Sequence, residues 1–564
     1  MALDLTAEHK ALGKGNANAA AGDLTRRGFM KSMALGAAGL APVAAGTYFG
    51  FQAMQGKPVK AALIGCGDEG GVLMGDHDPK YIEFVALCDI RPYNQKRIID
   101  GEPAPSPRKG YKGIYGADAA KRIASGHIYT DFQEMLDKEK EIEAVVIALP
   151  LHLHSKVAIA CMKAGKHVLC EKLMARTVSQ CKEMIKTAKE TNRILAIGHQ
   201  RHYSMLYAHA TEMIQAGLLG EINHIRALWH RNFSWPWSQP TDGKKIVKDA
   251  PDIHQPAPMF RDGWFQPILQ EDYDALKDKV KQYDYKSVEE LVRWRLFNRT
   301  GGGLMAELGS HQLDAASIFL GKVKPISVVG VGTRSFFGNV ADPKDRRNPR
   351  GIDDHVFVTF EFPGKNHPQG PHGGSDKNDV VVVTYSSIST NGFEPYGETV
   401  MGSRGTLVTA SESELMLFKE QEPGKAGGKP RDTKVTVSQV GNKPALEAAS
   451  TWGGPAAAAS AAGAMTGTGA GPVSRGYKEE MADFAYCIRE WNPSVGYRKE
   501  KGSDGKDHFV QRLPRCHGEV AMADAILALT SNLAMARRER IVFDPEWFRA
   551  DSDKVPDKDV SLAD

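Results

Sequence analysis

Short apolar runs alternate with longer stretches of helical periodicity in the first part of the chain. VKAALIG (59–65), EFVALCD (83–89), EAVVIALP (143–150), KHVLCEK (166–172) and RILAIGH (193–199) are predicted strands. Between them, SKVAIACMKAG and TVSQCKEMIKTAKE carry apolar residues at the spacing of one helix face. Strands that alternate with helices indicate a parallel sheet with crossover connections, so we expect an α/β domain over 57–200.

The pattern changes after residue 201. INHIRALWH, PISVVGVGTRSFF, DHVFVTFEF, DVVVVTYSSIS, ETVMGS and GTLVTAS are predicted strands without regular helices between them. They predict a second, α+β domain over 201–545 with a large, mostly antiparallel sheet, followed by a tail over 546–564. Two insertions are predicted loops: 365–379, which is rich in Gly and Pro, and 445–472, which is rich in Ala and Gly.

Composition narrows the class of protein. A chain of 564 residues is long enough for two or more domains. Its 72 basic residues nearly balance 68 acidic ones, and no dense Lys/Arg block with interleaved aromatic residues occurs, so we expect no nucleic-acid partner. The seven cysteines are odd in number and lack CxxC spacing, which predicts buried thiols and not disulfides or a zinc site.

The N-terminal region carries the pattern of an export signal. Residues 25–31 are TRRGFMK, and an apolar run rich in small residues follows from about Met33 to Met54. These features are typical of twin-arginine signals, so we expect 1–56 to be signal and linker, recognised by the twin-arginine export machinery and directing the protein to the periplasm. PVAAG (42–46) is a tolerable cleavage end, but the run is also long enough to remain as a membrane anchor.

A glycine-rich turn follows the first predicted strand. Gly65, Gly67 and Gly70 match G-x-G-x-x-G and open the first crossover, so the turn predicts a Rossmann-type dinucleotide site. The residues assigned to it are Gly65, Gly67, Asp68, Glu69 and Gly70. Asp89 ends the second strand, where a carboxylate can bind both ribose hydroxyls and favours NAD. Arg91 could accommodate a 2′-phosphate, which leaves NADP open.

ALPLHLHSKVAIACMKAGKHVLCEKL (148–173) resembles a known family. It is similar to the P-x-x-x-H and A-x-x-A-G-K-H-V-x-x-E-K-P patterns of the glucose-fructose oxidoreductase / inositol dehydrogenase (Gfo/Idh/MocA) family. Pro150, His154, Glu171 and Lys172 occupy matching positions, whereas Leu173 replaces the usual proline. The resemblance implies NAD or NADP as cofactor, bound by these residues and held tightly in an exported protein, and a homo-oligomer.

A second signature lies in GGGLMAELGSHQLDAASIFLG (301–321). In a regular helix, Glu307, His311 and Asp314 would project from one face. His311 keeps the position of the family's catalytic histidine, and Asp314 fits the acid that follows it. Family dehydrogenases carry Asp four residues before the histidine, where this chain has Glu307.

These residues suit the oxidation of an alcohol. A base must accept the hydroxyl proton while hydride leaves the carbon, and imidazole titrates near neutral pH. We therefore expect Lys172 and His311 to flank the reacting carbinol, with Glu307 or Asp314 as orienting acid. The aromatic stretches WHRNFSWPWSQP (229–240), GWFQP (263–267) and VRWRLFN (292–298) favour a sugar, sugar derivative or cyclic polyol as substrate.

Three alternatives remain open from sequence. The acids and His311 could bind a metal together with His152 and His154 or with His199 and His202, although we expect none. Relatives in the family include glycosidases that oxidise the sugar transiently at C3, eliminate the aglycone and reduce the sugar again. A non-catalytic nucleotide-binding protein could use the same fold, but it would not need Lys172 with His311.

Overall fold

The computed structural model describes residues 5–33, 48–51, 56–236, 246–247, 260–338, 350–420, 435–440, 443–448 and 475–556. For 25–33, 235–236, 260–261 and 435–448 it describes the backbone alone. Most of the apolar run predicted after the paired arginines, most of the 445–472 insertion and the end of the tail therefore lie outside the described residues. Phe49 and Phe51, near the end of that run, are described and are buried in one cluster with Tyr203 and Ala482.

A six-stranded parallel sheet forms the first domain, in the order β3-β2-β1-β4-β5-β6. Its strands are β1 Val59–Ile64, β2 Ile82–Cys88, β3 Ile128–Tyr129, β4 Ala144–Ile147, β5 His167–Glu171 and β6 Leu195–Gly198. β4 and β5 are buried along their whole length, as expected for strands covered by helices on both faces. The order reverses between β1 and β4, so a crevice opens at the carboxyl ends of these two strands.

Fifteen α-helices occur among the described residues. They are α1 Ala7–Met33, α2 Asp68–Asp76, α3 Pro92–Asp100, α4 Gly110–Tyr115, α5 Ala117–Ala124, α6 Phe132–Lys138, α7 His154–Lys163, α8 Val178–Thr191, α9 Met205–Gln215, α10 Gln270–Leu276, α11 Val288–Val292, α12 Asn298–Gly301, α13 Ser310–Phe319, α14 Tyr477–Glu490 and α15 Gly518–Arg537. A π-helical turn, Met305–Gly309, leads directly into α13. That turn carries Glu307, so the residues before and after it do not follow one regular helical face.

The second domain is built on an eight-stranded sheet in the order β15-β14-β13-β7-β12-β11-β10-β20. The remaining strands of the chain are β7 Ile222–His230, β8 Ser234–Pro236, β9 Phe260–Asp262, β10 Ser327–Thr333, β11 His355–Pro363, β12 Val380–Ile388, β13 Tyr396–Gly402, β14 Gly405–Ala410, β15 Glu414–Lys419, β16 Val435–Val440, β17 Lys443–Ala448, β18 Lys499–Lys501, β19 Asp507–Phe509 and β20 Ile541–Val542. β7 and β12 pair in parallel, and the other pairs of this sheet are antiparallel. β12 alternates buried and half-buried residues, so one face of the sheet packs on the core.

Two late helices join the domains. Met481, Phe484 and Ile488 of α14 are buried in the core of the parallel sheet, although α14 follows residue 200 in the chain. α15 packs against α8, α13 and β10. Among the described residues, α15 is the one helix with the length and hydropathy of a membrane span, and 72% of that span is buried inside the protein.

The fold class predicted from sequence is confirmed: a parallel Rossmann-type sheet precedes an α/β domain with a mostly antiparallel sheet. All seven cysteines are buried and free, as predicted. β15 was missed, because ELMLFK is short and carries only four buried residues. The boundaries at residues 57, 201 and 546 stay predictions.

Candidate active site

A cavity of about 630 Å³ lies at the carboxyl edge of the parallel sheet. Residues from both domains line it, among them Gly65, Gly67, Asp68, Glu69, Asp89, Arg91, Pro150, Glu171, Lys172, Trp294, Arg295 and Glu307. Doubly wound sheets bind ligands at this edge, where the strand order reverses. The cavity thus brings the glycine-rich turn and the predicted lysine into one space.

The turn after β1 has the shape of a pyrophosphate cradle. Gly65 has φ +93°, and a Cβ there would lie 2.2 Å from the Ala148 carbonyl oxygen. A Cβ on Gly70 would lie 2.0 Å from the Gly65 oxygen, whereas Gly67 faces open space to 4.0 Å. α2 begins at Asp68 without a side-chain cap, so its first N–H groups remain available for an anion. These observations fit a dinucleotide.

Asp89 is held in place at the end of β2. Its carboxylate accepts hydrogen bonds from the backbone N–H groups of Cys66 and Arg91, each at 2.8 Å, and from the Asn94 amide at 3.1 Å. Burial raises the pKa of Asp89, and these donors oppose that effect. One further acceptor position remains, on Oδ1, for a ribose hydroxyl.

The Arg91 guanidinium is already bound. Its Nε donates to Oδ2 of the fully buried Asp272 at 2.9 Å. This ion pair balances the charge of the guanidinium, while Arg91 still lines the cavity with its two terminal nitrogens outside the pair. It is Asp89, at the ribose position, that favours NAD.

Asp68 and Glu69 lie side by side in the turn, but their pKa values are shifted in opposite directions. Asp68 accepts from Arg97 at 2.9 Å, and although burial raises its pKa, Arg97, Arg295 and Arg108 lower it below the usual value. Burial raises the pKa of Glu69, and its buried Oε1 has no hydrogen-bond partner in the described part of the chain. Asp68 is thus a charged rim residue, whereas Glu69 lies beneath the turn.

Lys172 lies directly beyond the end of β5. His154 fixes the backbone on both sides of the cavity here: its Nδ1 is 2.8 Å from the Leu173 carbonyl oxygen and its Nε2 is 2.7 Å from that of Leu149. The peptide bond between Lys172 and Leu173 is cis. Glu171 is buried under the lysine, and burial followed by the charge of Glu69 raises its pKa well above the usual value.

Lys172, Glu307 and Arg295 form an ion-pair group in the cavity wall. Lys172 Nζ donates to the Glu307 carbonyl oxygen at 3.0 Å and lies 3.9 Å from Oε2 of the same residue. Arg295 Nε donates to Glu307 Oε1 at 2.6 Å. Burial opposes ionisation of Glu307, but Arg295 and Lys172 lower its pKa to about 2. Glu307 is therefore an anion that positions two cations.

His311 follows at the start of α13. Its ring is buried and lies 5.4 Å from the Trp229 ring, and Nδ1 has no hydrogen-bond partner among the described residues. Burial, and next the charge of Lys172, lower the pKa of His311 well below its usual value. The imidazole is therefore neutral near pH 7 and available to accept a proton.

Asp314 lies in a separate, sealed network. It accepts from Lys322 Nζ at 2.6 Å and His202 Nε2 at 2.9 Å, and His199 Nδ1 is 3.6 Å away. Burial raises its pKa, but His202, Lys322 and His199 hold the pKa well below the usual value. The structure thus does not place Glu307 and Asp314 on one face, because the π-helical turn intervenes.

The residues that could hold a metal overlap those considered from sequence: Asp314, His199 and His202 recur, and Asp524 and Cys516 are new. Among the described residues, two groups have their potential ligand atoms within 4.8 Å of one another: His199, Asp314 and Asp524, and His202, Cys516 and Asp524. The Lys322 ammonium lies between their acids, at 2.6 Å from Asp314 and 2.8 Å from Asp524. An internal cation therefore already balances these carboxylates.

Sequence reasoning missed two contributors to the cavity. Arg295 was noted only as part of an aromatic stretch, yet it is the direct partner of Glu307 and stacks on Trp294 at 4.2 Å. Asp272 carried no signal, because its partner Arg91 lies far away in the chain. Of the aromatic residues, Trp294 lines the cavity, and Trp229 contacts His311.

Two family models match the chain. The first, described as an oxidoreductase family with an NAD-binding Rossmann fold, matches residues 59–199. The second, the C-terminal alpha/beta domain of the same oxidoreductase family, matches residues 273–494. Together they cover more than half of the chain and include all the cavity-lining residues listed above.

Curated relatives and solved structures show the same similarity. The chain is 32% identical over 179 residues to a glycosyl hydrolase family 109 protein of Stenotrophomonas maltophilia, which covers 31% of this chain and 36% of that protein. It is 23% identical over 409 residues to D-glucoside 3-dehydrogenase of Escherichia coli, covering 70% and 91%. The matches to the first such relatives span only about a third of their length.

A solved structure of an inositol dehydrogenase homolog with NAD⁺ from Azotobacter vinelandii superposes with a TM-score of 0.52. It is 16% identical and covers 86% of this chain and 98% of that one. At this identity the similarity shows the fold.

Proposed function

Because the chain belongs to the Gfo/Idh/MocA oxidoreductase family, we propose that it oxidises a CH–OH group of a sugar, sugar derivative or cyclic polyol. The observation that carries the proposal is that Lys172 lines one cavity with the dinucleotide turn, and that its charge reaches the buried His311, which is not itself a lining residue. A scaffold protein would have no use for this arrangement.

Different residues would bind different parts of the cofactor. The turn from Gly65 to Gly70 would hold the pyrophosphate and Asp89 the ribose, with Pro150 and His154 shaping the wall beside Lys172. When bound, a nicotinamide cofactor supplies the acceptor for the hydride that leaves the carbinol carbon. Tight retention of NAD suits a protein that works where little free cofactor is present.

Proton transfer falls to Lys172 and His311. The substrate hydroxyl loses its proton as the C–H bond breaks and the carbonyl forms, so a neutral base must lie beside the oxygen. His311 is neutral near pH 7, and the Lys172 ammonium can hydrogen-bond the developing alkoxide. Glu307 fixes Lys172, whereas Asp314 acts through the scaffold that carries His311.

The test begins with the cofactor. Denaturing the purified protein should release NAD(H), and incubating the intact protein with a panel of sugars and cyclic polyols should yield reduced cofactor. Absence of both bound nucleotide and any turnover with added NAD would overturn the proposal.

A second function uses the same site. Several similar proteins bear the name glycosyl hydrolase family 109, which favours a redox-neutral glycosidase that oxidises the sugar transiently, eliminates the aglycone and reduces the sugar again. Release of aglycone from glycosides without net formation of reduced cofactor would distinguish this function from a dehydrogenase.

We also propose export by the twin-arginine route, on the basis of Arg26 and Arg27 in TRRGFMK. Replacing both arginines by lysine should leave the protein in the cytoplasm. The preceding part of α1 is packed on the second domain, with Lys14 bound to Glu414 at 2.6 Å and Ala17 fully buried. N-terminal sequencing of the exported protein tests whether this segment is retained.

A homo-oligomer is a further part of the proposal. Val331, Phe357 and Val542 are 60%, 45% and 62% exposed on neighbouring strands of the eight-stranded sheet, an apolar surface that suits a second copy of the chain. Light scattering of the purified protein should give a mass above that of one chain, and Phe357→Lys should lower it.

A further inference from the structure

Arg231 follows the last residue of β7. Its backbone N–H donates to the Ile388 carbonyl oxygen at 2.8 Å, so the position is fixed to the edge of β12. Side chains alternate along a strand, which places Arg231 on the same face as Trp229. That face packs against α13, the helix that carries His311.

The Arg231 guanidinium lacks an acidic partner among the residues that the structure describes. It lies 4.7 Å from the Trp229 ring and 5.7 Å from the Phe233 ring, and no described side chain gives it a hydrogen bond or an ion pair. The other buried arginines near this face are paired: Arg201 with Glu398 and Glu412, Arg295 with Glu307, and Arg350 with Asp262. A half-buried guanidinium without an anionic partner is unfavourable unless a ligand supplies the negative charge.

Trp229 connects this guanidinium to the candidate reaction centre. The same indole ring contacts Arg231 on one side and the His311 ring at 5.4 Å. Its buried Nε1–H has no acceptor among the described residues. The charge of Arg231 also contributes to the lowered pKa of Glu307, after those of Arg295 and Lys172. Hydrogen-bond donors without acceptors therefore converge beside His311.

The cations around Glu307 differ in their direct partners. Lys172 and Arg295 bind Glu307, and Arg295 is also near the ionised Asp68. Arg231 acts on Glu307 through its charge, without an ion pair among the described residues. An anionic group on the substrate would give Arg231 a direct partner.

We propose that Arg231 binds a carboxylate of the substrate, so that the sugar oxidised at Lys172 and His311 is a sugar acid such as a uronate. This inference rests on the proposed function and narrows its substrate class. The planar guanidinium, 4.7 Å from the centre of the Trp229 ring, offers two parallel N–H groups that match the two oxygens of a carboxylate. A neutral sugar would leave these donors unpaired.

The experiment compares matched pairs of sugars: glucuronate with glucose, and galacturonate with galactose. Formation of reduced cofactor and quenching of tryptophan fluorescence are measured for the wild-type protein, Arg231→Met, Arg231→Lys and the control Arg226→Met. Arg226 lies on the same strand but is paired with Glu394 at 2.7 Å, so the control removes the same charge without touching the proposed subsite.

We expect kcat/KM of the wild type for the uronate to exceed that for the neutral sugar about tenfold or more. Arg231→Met should lower kcat/KM for the uronate about 10- to 100-fold, mainly through KM, and leave the neutral sugar almost unchanged. Arg231→Lys should retain part of the preference, because the charge remains while the planar fork is lost. Arg226→Met should keep the wild-type ratio.

The two readouts separate this inference from the proposed function. Oxidation of neutral sugars without preference for uronates, or equal loss on both sugars in Arg231→Met, would overturn the carboxylate subsite while the oxidoreductase stands. Saturable uronate binding that depends on Arg231 would support the subsite. If no sugar yielded reduced cofactor in the same experiment, the proposed oxidation would be overturned while the subsite stood. Absence of any uronate binding would overturn the subsite.

Discussion

Glu307 and Asp314 belong to one continuous helical segment, and each carries a carboxylate beside a lysine, yet their surroundings differ. Glu307 lines the cavity, where it holds Lys172 and Arg295. Asp314 is sealed between Lys322 and His202 and is 1% exposed. The same type of ion pair therefore positions a reactive group at one end of the segment and joins packed elements at the other, and accessibility to a ligand decides which.

Removing Lys172 should have the largest effect of the substitutions considered, and the quantity that falls should be kcat. We expect Lys172→Met to lower kcat about 10²- to 10⁴-fold, because the alkoxide loses its hydrogen-bond donor. Nucleotide release on denaturation and the unfolding midpoint should stay close to wild type. Lys186→Met, on an exposed pair with Glu190, is the control. Near-normal kcat in Lys172→Met would remove this lysine from the reaction.

Removing Lys322 should instead destabilise the buried network of Asp314 and Asp524. Lys322→Met leaves Asp314 and Asp524 buried without their shared cation, so we expect the free energy of unfolding to fall by about 3–5 kcal/mol. Denaturant unfolding measures the loss, with Lys186→Met again as control. At temperatures where the variant stays folded, kcat should fall far less than in Lys172→Met. A loss below about 1 kcal/mol would show that the network does not depend on this cation.

Much of the cavity side could be predicted from sequence because its signals are local. The turn from Gly65 to Gly70, Asp89 at a strand end and Lys172 after an apolar strand each follow from neighbours in the chain. A parallel sheet then brings these strand ends to one edge, so local patterns were enough to predict both the fold and the cofactor groove.

The network around Asp314 could not be predicted, because all of its members except Lys322 are distant from Asp314 in sequence. Asp314 meets His202, Lys322 and Asp524 only after α13, α15 and the segment beyond β6 pack together. Helical spacing suggested that Asp314 would share a face with Glu307, and the π-helical turn changes that phase. No residue type in the sequence marks such a turn.

Acid should weaken the network around Asp314 through the buried ring of His199. Burial lowers the pKa of His199 to about 3, so the unfolded chain binds a proton at higher pH than the folded chain does. Stability is therefore lost as pH falls from about 6.5 toward 3, at up to about 1.4 kcal/mol per pH unit for this one group. Unfolding curves at several pH values should show a shallower slope for His199→Gln. The same slope in both proteins would mean that His199 is not buried as a neutral ring.

Glu307→Gln should have only a modest effect on kcat and the smallest effect on the free energy of unfolding, and it tests the contrast between Glu307 and Asp314 most directly. Glutamine keeps the backbone oxygen that binds Lys172 and one acceptor for Arg295, but it removes the charge that fixes both cations. We expect kcat to fall about threefold to tenfold, because Lys172 is held less firmly, and the free energy of unfolding to change by less than about 1 kcal/mol. Asp314→Asn is the matched variant, and there the order should reverse: a clear loss of stability with a smaller loss of kcat per folded molecule. If the two variants behaved alike in both measurements, accessibility to the cavity would not be what separates the two carboxylates.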